Sequence, residues 1–220
     1  MANVKISTLA SGSPASALDG SELLEIVQGG STKGATASQV RTYAQTGAAL
    51  QGKQTIYIPA RAMVSRTTNG AGDGTAESSS NKIMQKTKDF DTTTQEFVQF
   101  DVAMPKSWDT GTITFIPYWT ATGGTASNTV DFALQAVAVS NDDAIDAAFG
   151  TEQVSTDALI TAGDIHVGPE SSAITITGSP AAGDILFCQL KRNVSTDNLA
   201  VDAKLLGIKV FFSTNAQTDA

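Results

Sequence analysis

The chain has 220 residues, 41% hydrophobic, 6% aromatic and 16% charged, and 22 acids against 14 bases give a formal net charge of -8. Such a length suits one medium domain with an appendage, and low charge with abundant Ser, Thr, Ala and Gly suits an all-β extracellular or particle-surface protein better than a helical cytosolic enzyme. The acidic balance excludes a nucleic-acid backbone as partner, because phosphate binding draws on clustered Lys and Arg. No apolar run approaches the roughly 20 residues that span a bilayer, so no membrane is expected as partner.

The opening "MANVKISTLASG" lacks a basic start followed by an apolar stretch, so no secretion leader is expected. "VKISTL" (4–9) alternates weakly, and "ASGSPASALDGS" reads as a connector with turn chemistry at Asp19-Gly20. "ELLEIVQ" (22–28) then predicts a strand, "GGST" (29–32) a hairpin turn and "KGATA" the return strand, with Gly29 and Gly30 supplying positive φ. Ser38 is the expected cap of a short helix, "QVRTYAQ". The unit is expected to bury Leu24, Ile26, Val27, Val40 and Tyr43, too few for independent stability. It therefore has to lean on copies of itself or on a partner surface.

"TGAALQGKQ" (46–54) reads as a linker, which divides the chain into a docking unit, 1–52, and a main domain, 53–220. From Ile56 onward the pattern is strand after strand: "IYIPARAMVSR", "NKIMQK", "EFVQFDVAMP", "GTITFIPYWTA", "NTVDFALQAVAVS", "AITITG", "DILFCQLKR" and "KLLGIKVFF". Val98, Phe100 and Val102 share one face, as do Leu206, Ile208, Val210 and Phe212, so period two dominates. "NGAGDGTAESSSN" (69–81) reads as a flexible surface loop, since it lacks the endings of a phosphate loop and the calcium-loop pattern. "SNDDAIDAAFG" (140–150) predicts a short inserted helix, capped by Ser140 or Asn141, whose Ile145, Ala148 and Phe149 plug one end of the domain. About eight strands with one helix inside a long connection describe an all-β, jelly-roll-like antiparallel sandwich.

Chemistry is sparse. The single Cys188 excludes an intrachain disulfide, and its strand-like setting suits a small buried apolar group. The single His166 has no second His or Cys with which to bind zinc, so no metal or cofactor is expected. No G-x-S-x-G elbow is present, and a catalytic role is not expected. "MPKSWDTGTITFIPYWTA" carries Trp108, Tyr118 and Trp119: exposed, they would form a glycan-stacking or partner patch; buried, they are core anchors. "NVS" at 193–195 matches the glycosylation pattern by chance.

"KISTLASGSPASALDGSELLEIVQGGSTKGATASQVRTY" resembles a short N-terminal unit recurring in bacteriophage virion proteins, with K-I-S-x-L, a Leu-Asp-Gly-x-Glu-Leu step, V-Q-G-G and a Thr-rich return into a helix. It departs from that pattern by the "ASGSPASA" insertion and by "LLEIVQ" in place of "LVPVVQ". The remainder, with "FDVAMPKSWDTGTITFIPYWT", "SPAAGDILFCQLKR" and "LLGIKVFFSTNAQTDA", is similar to jelly-roll modules of tailed-phage accessory structural proteins. The resemblance implies a homotrimer on the particle surface: a capsid decoration (cement) protein, head fibre or tail-spike-like appendage, made in the host cytoplasm. It implies the major capsid protein or another virion protein as partner, with Leu24, Ile26, Val27, Val40 and Tyr43 docking. A receptor-binding adhesin that holds a host glycan is the alternative.

Overall fold

The structure is a computed structural model that describes residues 23–46, 52–216 and 219. The chain divides into two compact units, 1–50 and 51–220. The weakly alternating "VKISTL" and the connector after it lie outside the described residues.

In the first unit β1 (Leu23–Gln28) and β2 (Ser31–Thr36) form an antiparallel hairpin, followed by α1 (Ala37–Thr46). Gln28 pairs with Ser31, so the loop is the two residues Gly29 and Gly30, with φ of 61° and 76°. Both central positions at positive φ define the turn whose twist matches that of the strands, and glycine occupies them without steric cost. The helix starts two residues earlier than a cap at Ser38 would set it. The Thr36 hydroxyl accepts from the Gln39 amide at 3.1 Å, and the Gln39 side chain accepts from the Thr36 amide at 2.8 Å. This reciprocal capping box satisfies two donors at once, which a cap at Ser38 would not.

The second unit is a two-sheet sandwich. Its strands are β3 (Lys53–Pro59), β4 (Val64–Ser65), β5 (Gly72–Glu77), β6 (Met84–Phe90), β7 (Phe97–Ala103), β8 (Thr114–Thr120), β9 (Thr129–Val139), β10 (Gln153–Ala158), β11 (His166–Val167), β12 (Ile185–Arg192) and β13 (Ala203–Ser213). One sheet runs β10-β9-β12-β7-β4 and the other β11-β8-β13-β6-β5, with β3 paired to the second half of β13. Eight of these strands are ordered β7-β12-β9-β10 facing β6-β13-β8-β11, all pairs antiparallel. Two interlocked Greek keys give that order, so the domain is a jelly roll.

Alternation fills the space between the sheets. Val98 and Phe100 of β7, Val130, Phe132, Leu134, Ala136 and Ala138 of β9, and Leu186, Cys188 and Leu190 of β12 are buried against Phe115, Trp119, Leu205, Ile208 and Val210 of the other sheet. Each Val, Leu, Ile or Phe among them contributes about 1.5–3 kcal/mol by leaving water. Among the described residues this core draws nothing from the first unit.

Arg192 ends β12 with no exposed surface. Its Nε donates to Asp197 Oδ2 at 2.6 Å and Nη2 to Asp197 Oδ1 at 3.1 Å, and its remaining donors reach the carbonyls of Phe90, Asp91, Leu199 and Val201. A buried charge is tolerable when paired and fully hydrogen-bonded. Here it ties the ends of β6 and β12 to the 193–201 loop.

Four expectations are corrected. Residues 140–150 form no helix: Ser140 and Asp143 close a turn, with the Ser140 amide donating to Asp143 Oδ2 at 3.0 Å, and Asp142 takes φ 67°. Short Asn and Asp side chains bond nearby backbone and favour turns over helix. Ile145 is accordingly 76% exposed and plugs nothing. The loop expected at 69–81 contains β5, an edge strand paired along its length with β6. Having no apolar side chain except Ala76, it leaves no periodicity to read. "AITITG" joins no sheet as a strand but bridges both, through Ile113–Ile174 and Val137–Thr177. Finally, a register shift between Leu205 and Gly207 turns Leu205 inward and leaves Leu206 half-buried. A bulge inserts one residue and reverses the facing of those beyond it.

Candidate functional site

The N-terminal hairpin and helix expose what they were expected to bury. Leu24, Ile26, Val27, Val40 and Tyr43 are between 38% and 79% exposed, and Ala35 is the one buried apolar residue among the described residues of this unit. Alternation along β1 puts Leu24 and Ile26 on one face and Leu23 and Val27 on the other. One ten-residue helix beside two strands cannot cover both faces. Ile26, Val27, Ala35, Val40 and Tyr43 instead line an open groove of about 560 Å³, with Lys33 and Gln39 at its rim.

The aromatic hairpin splits. Trp108 and Trp119 are fully buried, so neither is a stacking platform. Trp119 donates from Nε1 to Asp157 Oδ2 at 2.8 Å and stacks on His166 with centroids 4.6 Å apart. Trp108 Nε1 has no hydrogen-bond partner among the described residues. Tyr118 points the other way, to the outer face of the sheet, because β8 alternates and its neighbours Pro117 and Trp119 face inward. There it meets Tyr57 of β3 edge-on, with centroids 6.0 Å apart at 88°. Tyr57 was missed by sequence reasoning, though the signal existed: Ile56 and Ile58 pack on the core, so the residue between them faces out. Tyr57 is 50% exposed, and its hydroxyl donates to the Leu206 carbonyl at 3.3 Å over Gly207. A Cβ at position 207 would stand 2.5 Å from that hydroxyl, so glycine makes the approach possible. Desolvation, with Tyr118 adding to it, pushes the Tyr57 hydroxyl above its ordinary value.

His166 is buried, and its Nε2 lies 3.1 Å from the Thr161 carbonyl. Cys188 is buried in β12, where burial pushes its thiol up to about 12, so it is not a nucleophile at neutral pH. Among the described residues no three His, Cys, Asp or Glu side chains gather as a metal site, and no helix is long and apolar enough to cross a membrane.

No family model matches the chain, and no curated protein matches it. Several solved structures match it at low similarity. A CBM36-1 domain of a multidomain xylanase from the hindgut metagenome of Trinervitermes trinervoides is 11% identical, with a TM-score of 0.39 over 72% of this chain and 96% of that one. A family 35 carbohydrate binding module from Clostridium thermocellum is 10% identical, with a TM-score of 0.36 over 71% and 97%. A cycloisomaltooligosaccharide glucanotransferase of Paenibacillus sp. is 12% identical with a TM-score of 0.41, and the match covers 70% of this chain but 18% of that one. The infectious bursal disease virus Gx strain structure is 8% identical, with a TM-score of 0.31 over 86% and 36%.

Proposed function

We propose that this chain is a non-enzymatic structural protein of a bacteriophage virion, a capsid decoration or head-fibre knob. It is a homotrimer on the particle surface, held to the major capsid protein or another virion protein through its N-terminal unit. One observation carries the reading: the first unit exposes all its described large apolar side chains, while the jelly roll closes its core without them. A unit that cannot bury its own apolar residues needs a partner surface, and a repetitive shell supplies one at every lattice position.

The test is co-sedimentation with particles that lack the protein. Wild type should pellet with them. Replacing Leu24 and Ile26 by Asp should abolish binding, because burying an unpaired carboxylate costs several kcal/mol. Full binding by that variant, or by a chain shortened to 51–220, would place the attachment surface on the jelly roll and overturn the anchor. The adhesin alternative has the half-exposed Tyr57 on the outer face in its favour, and a glycan array probed with the full chain decides it.

A further inference from the structure

The outer faces of the two sheets carry unlike, unpartnered patches. On the β3-β13-β8 face, Tyr57, Ile116 and Tyr118 surround Lys209, which pairs in register with Tyr57 and Ile116. Val167 lies beside Tyr118 and is 53% exposed, and the charge of Arg61 reaches the Tyr57 hydroxyl. Neither Lys209 nor Arg61 has a carboxylate partner among the described residues. On a chain of net charge -8 this is a local excess of positive charge over an aromatic floor.

The opposite sheet bears the complement. Val139, Ile185, Phe187 and Ile145 line a cup of about 340 Å³ at one end of β9 and β12. Asp101 pairs with Phe187 in register, and Asp142, Asp143 and Asp146 flank Ile145; all four acids are exposed. Below the cup Asp184 is buried and holds its wall, accepting from the Ser140 hydroxyl at 2.7 Å and the Ala181 amide at 2.7 Å.

We propose that copies of this chain associate head to tail, the acid-rimmed Ile145–Ile185–Phe187 cup of one copy receiving the Tyr57–Tyr118–Lys209 face of the next. The inference rests on the oligomeric reading above and names its interface. Charge complementarity selects the pairing. A two-fold contact of the cup with itself would set four aspartates against four, and like charges brought together across an interface oppose association. The contact is therefore heterologous, and it forms a ring when its rotation closes. Tyrosines suit the centre of a protein interface, and Lys209 can lay its stem along that apolar surface while its ammonium stays at the rim. A sugar fits the tyrosine face less well, because stacking needs free ring faces: Lys209 Nζ lies 5.4 Å from the Tyr118 centroid, and Tyr57 abuts that ring edge-on.

The test is sedimentation of the full chain over a range of concentration and salt. Wild type should exceed the single-chain mass of 22.7 kDa, and near 1 M salt, where the screening length is roughly 3 Å, it should dissociate more readily. Asp101→Lys with Asp146→Lys, or Lys209→Glu with Arg61→Glu, should each weaken association by about tenfold or more. All four changes in one chain should restore it. Ile145→Asp, at a side chain exposed in the single copy, should dissociate the protein while leaving it folded and cooperatively melting, with only the concentration-dependent part of its melting temperature lost. A wild type that is monomeric throughout, reversals without effect, or a fourfold swap that folds but stays dissociated would overturn the proposal. So would an assembly untouched by the reversals in a protein whose binding of an acidic polysaccharide is lost in Lys209→Glu. Particle binding, scored on the same variants, reports the anchor separately: its failure in wild type would refute the virion reading and not this interface.

Discussion

At the scale of single residues, the side chains that matter most here are polar ones held in place. Arg192 is the clearest: every face of its guanidinium meets a carboxylate or carbonyl inside the sandwich. Removing it leaves Asp197, itself 2% exposed at the side chain, as a buried charge without its partner. Arg192→Ala should therefore destabilise the domain by about 3–5 kcal/mol, read from denaturant unfolding, because breaking a buried pair from one side strands the other. Asp91 acts through backbone instead. The amides of Thr94 and Thr93, at 2.7 and 2.6 Å, and then the Thr93 hydroxyl hold its carboxyl down to about 2, against an ordinary 3.8. A depressed carboxylate favours the folded state above its unfolded value, and the benefit is lost as pH falls through the folded one. Asp91→Asn should flatten the decline of the unfolding midpoint between pH 3.8 and about 2. The change should be small, since the group is in contact with solvent.

At the scale of elements, local chemistry and long-range packing pull on the same segments with different results. The hairpin and helix of the first unit form because turn and cap are specified within a few residues: two glycines at the loop, then the Thr36–Gln39 box. Thr36→Ala should cost this helix about 1 kcal/mol. Hydrogen exchange of the α1 amides in the full chain reads that change, and protection equal to wild type would refute the cap. Residues 140–150 show the opposite outcome. Acids near a helix start favour the helix through its dipole, yet Asp143 accepts from the Ser140 amide and Asp142 from the Asn141 side chain, and the chain runs on without helix or strand until Gly150 donates to the Ala136 carbonyl at 3.1 Å. A Cβ on Gly150 would sit 2.4 Å from the Thr175 carbonyl, so the connection is drawn tight against the strand by backbone contact rather than by an apolar helix face.

At the scale of the whole molecule, the two units differ in where their stability comes from. The jelly roll has its core residues between Met63 and Phe212, with Ile56 and Ile58 packed against them. A chain starting at Gln51 should thus unfold cooperatively, with a melting temperature within a few degrees of the full protein, as followed by calorimetry. The cut belongs before Gly52 and not at the expected boundary after it, because the Gly52 carbonyl accepts from the Thr214 amide at 3.1 Å beside the first pair of β3 with β13. Loss of cooperative melting in that fragment would mean that the first unit contributes to the fold and is more than an attachment device.

The sequence by itself determined what depends on neighbours along the chain. Alternation in "EFVQFDVAMP" put Val98 and Phe100 on one face, which is the buried one, and the glycine pair at 29–30 marked the hairpin, because period and turn conformation are set within a few residues. Strand number and texture reached as far as the jelly-roll class. Tertiary structure alone decided which strand lies beside which: β13 takes β8 on one flank and both β6 and β3 on the other, although Lys204 and its partner Asp89 are 115 positions apart. It also decided the bulge at Leu206, the strand made of "GDGTAE", and the burial of Trp108 and Trp119 beside an outward Tyr118. An apolar pattern states that a side chain favours leaving water, but whether it does depends on what stands opposite. For Phe132 a second sheet stands opposite, whereas Leu24 and Ile26 remain in contact with solvent.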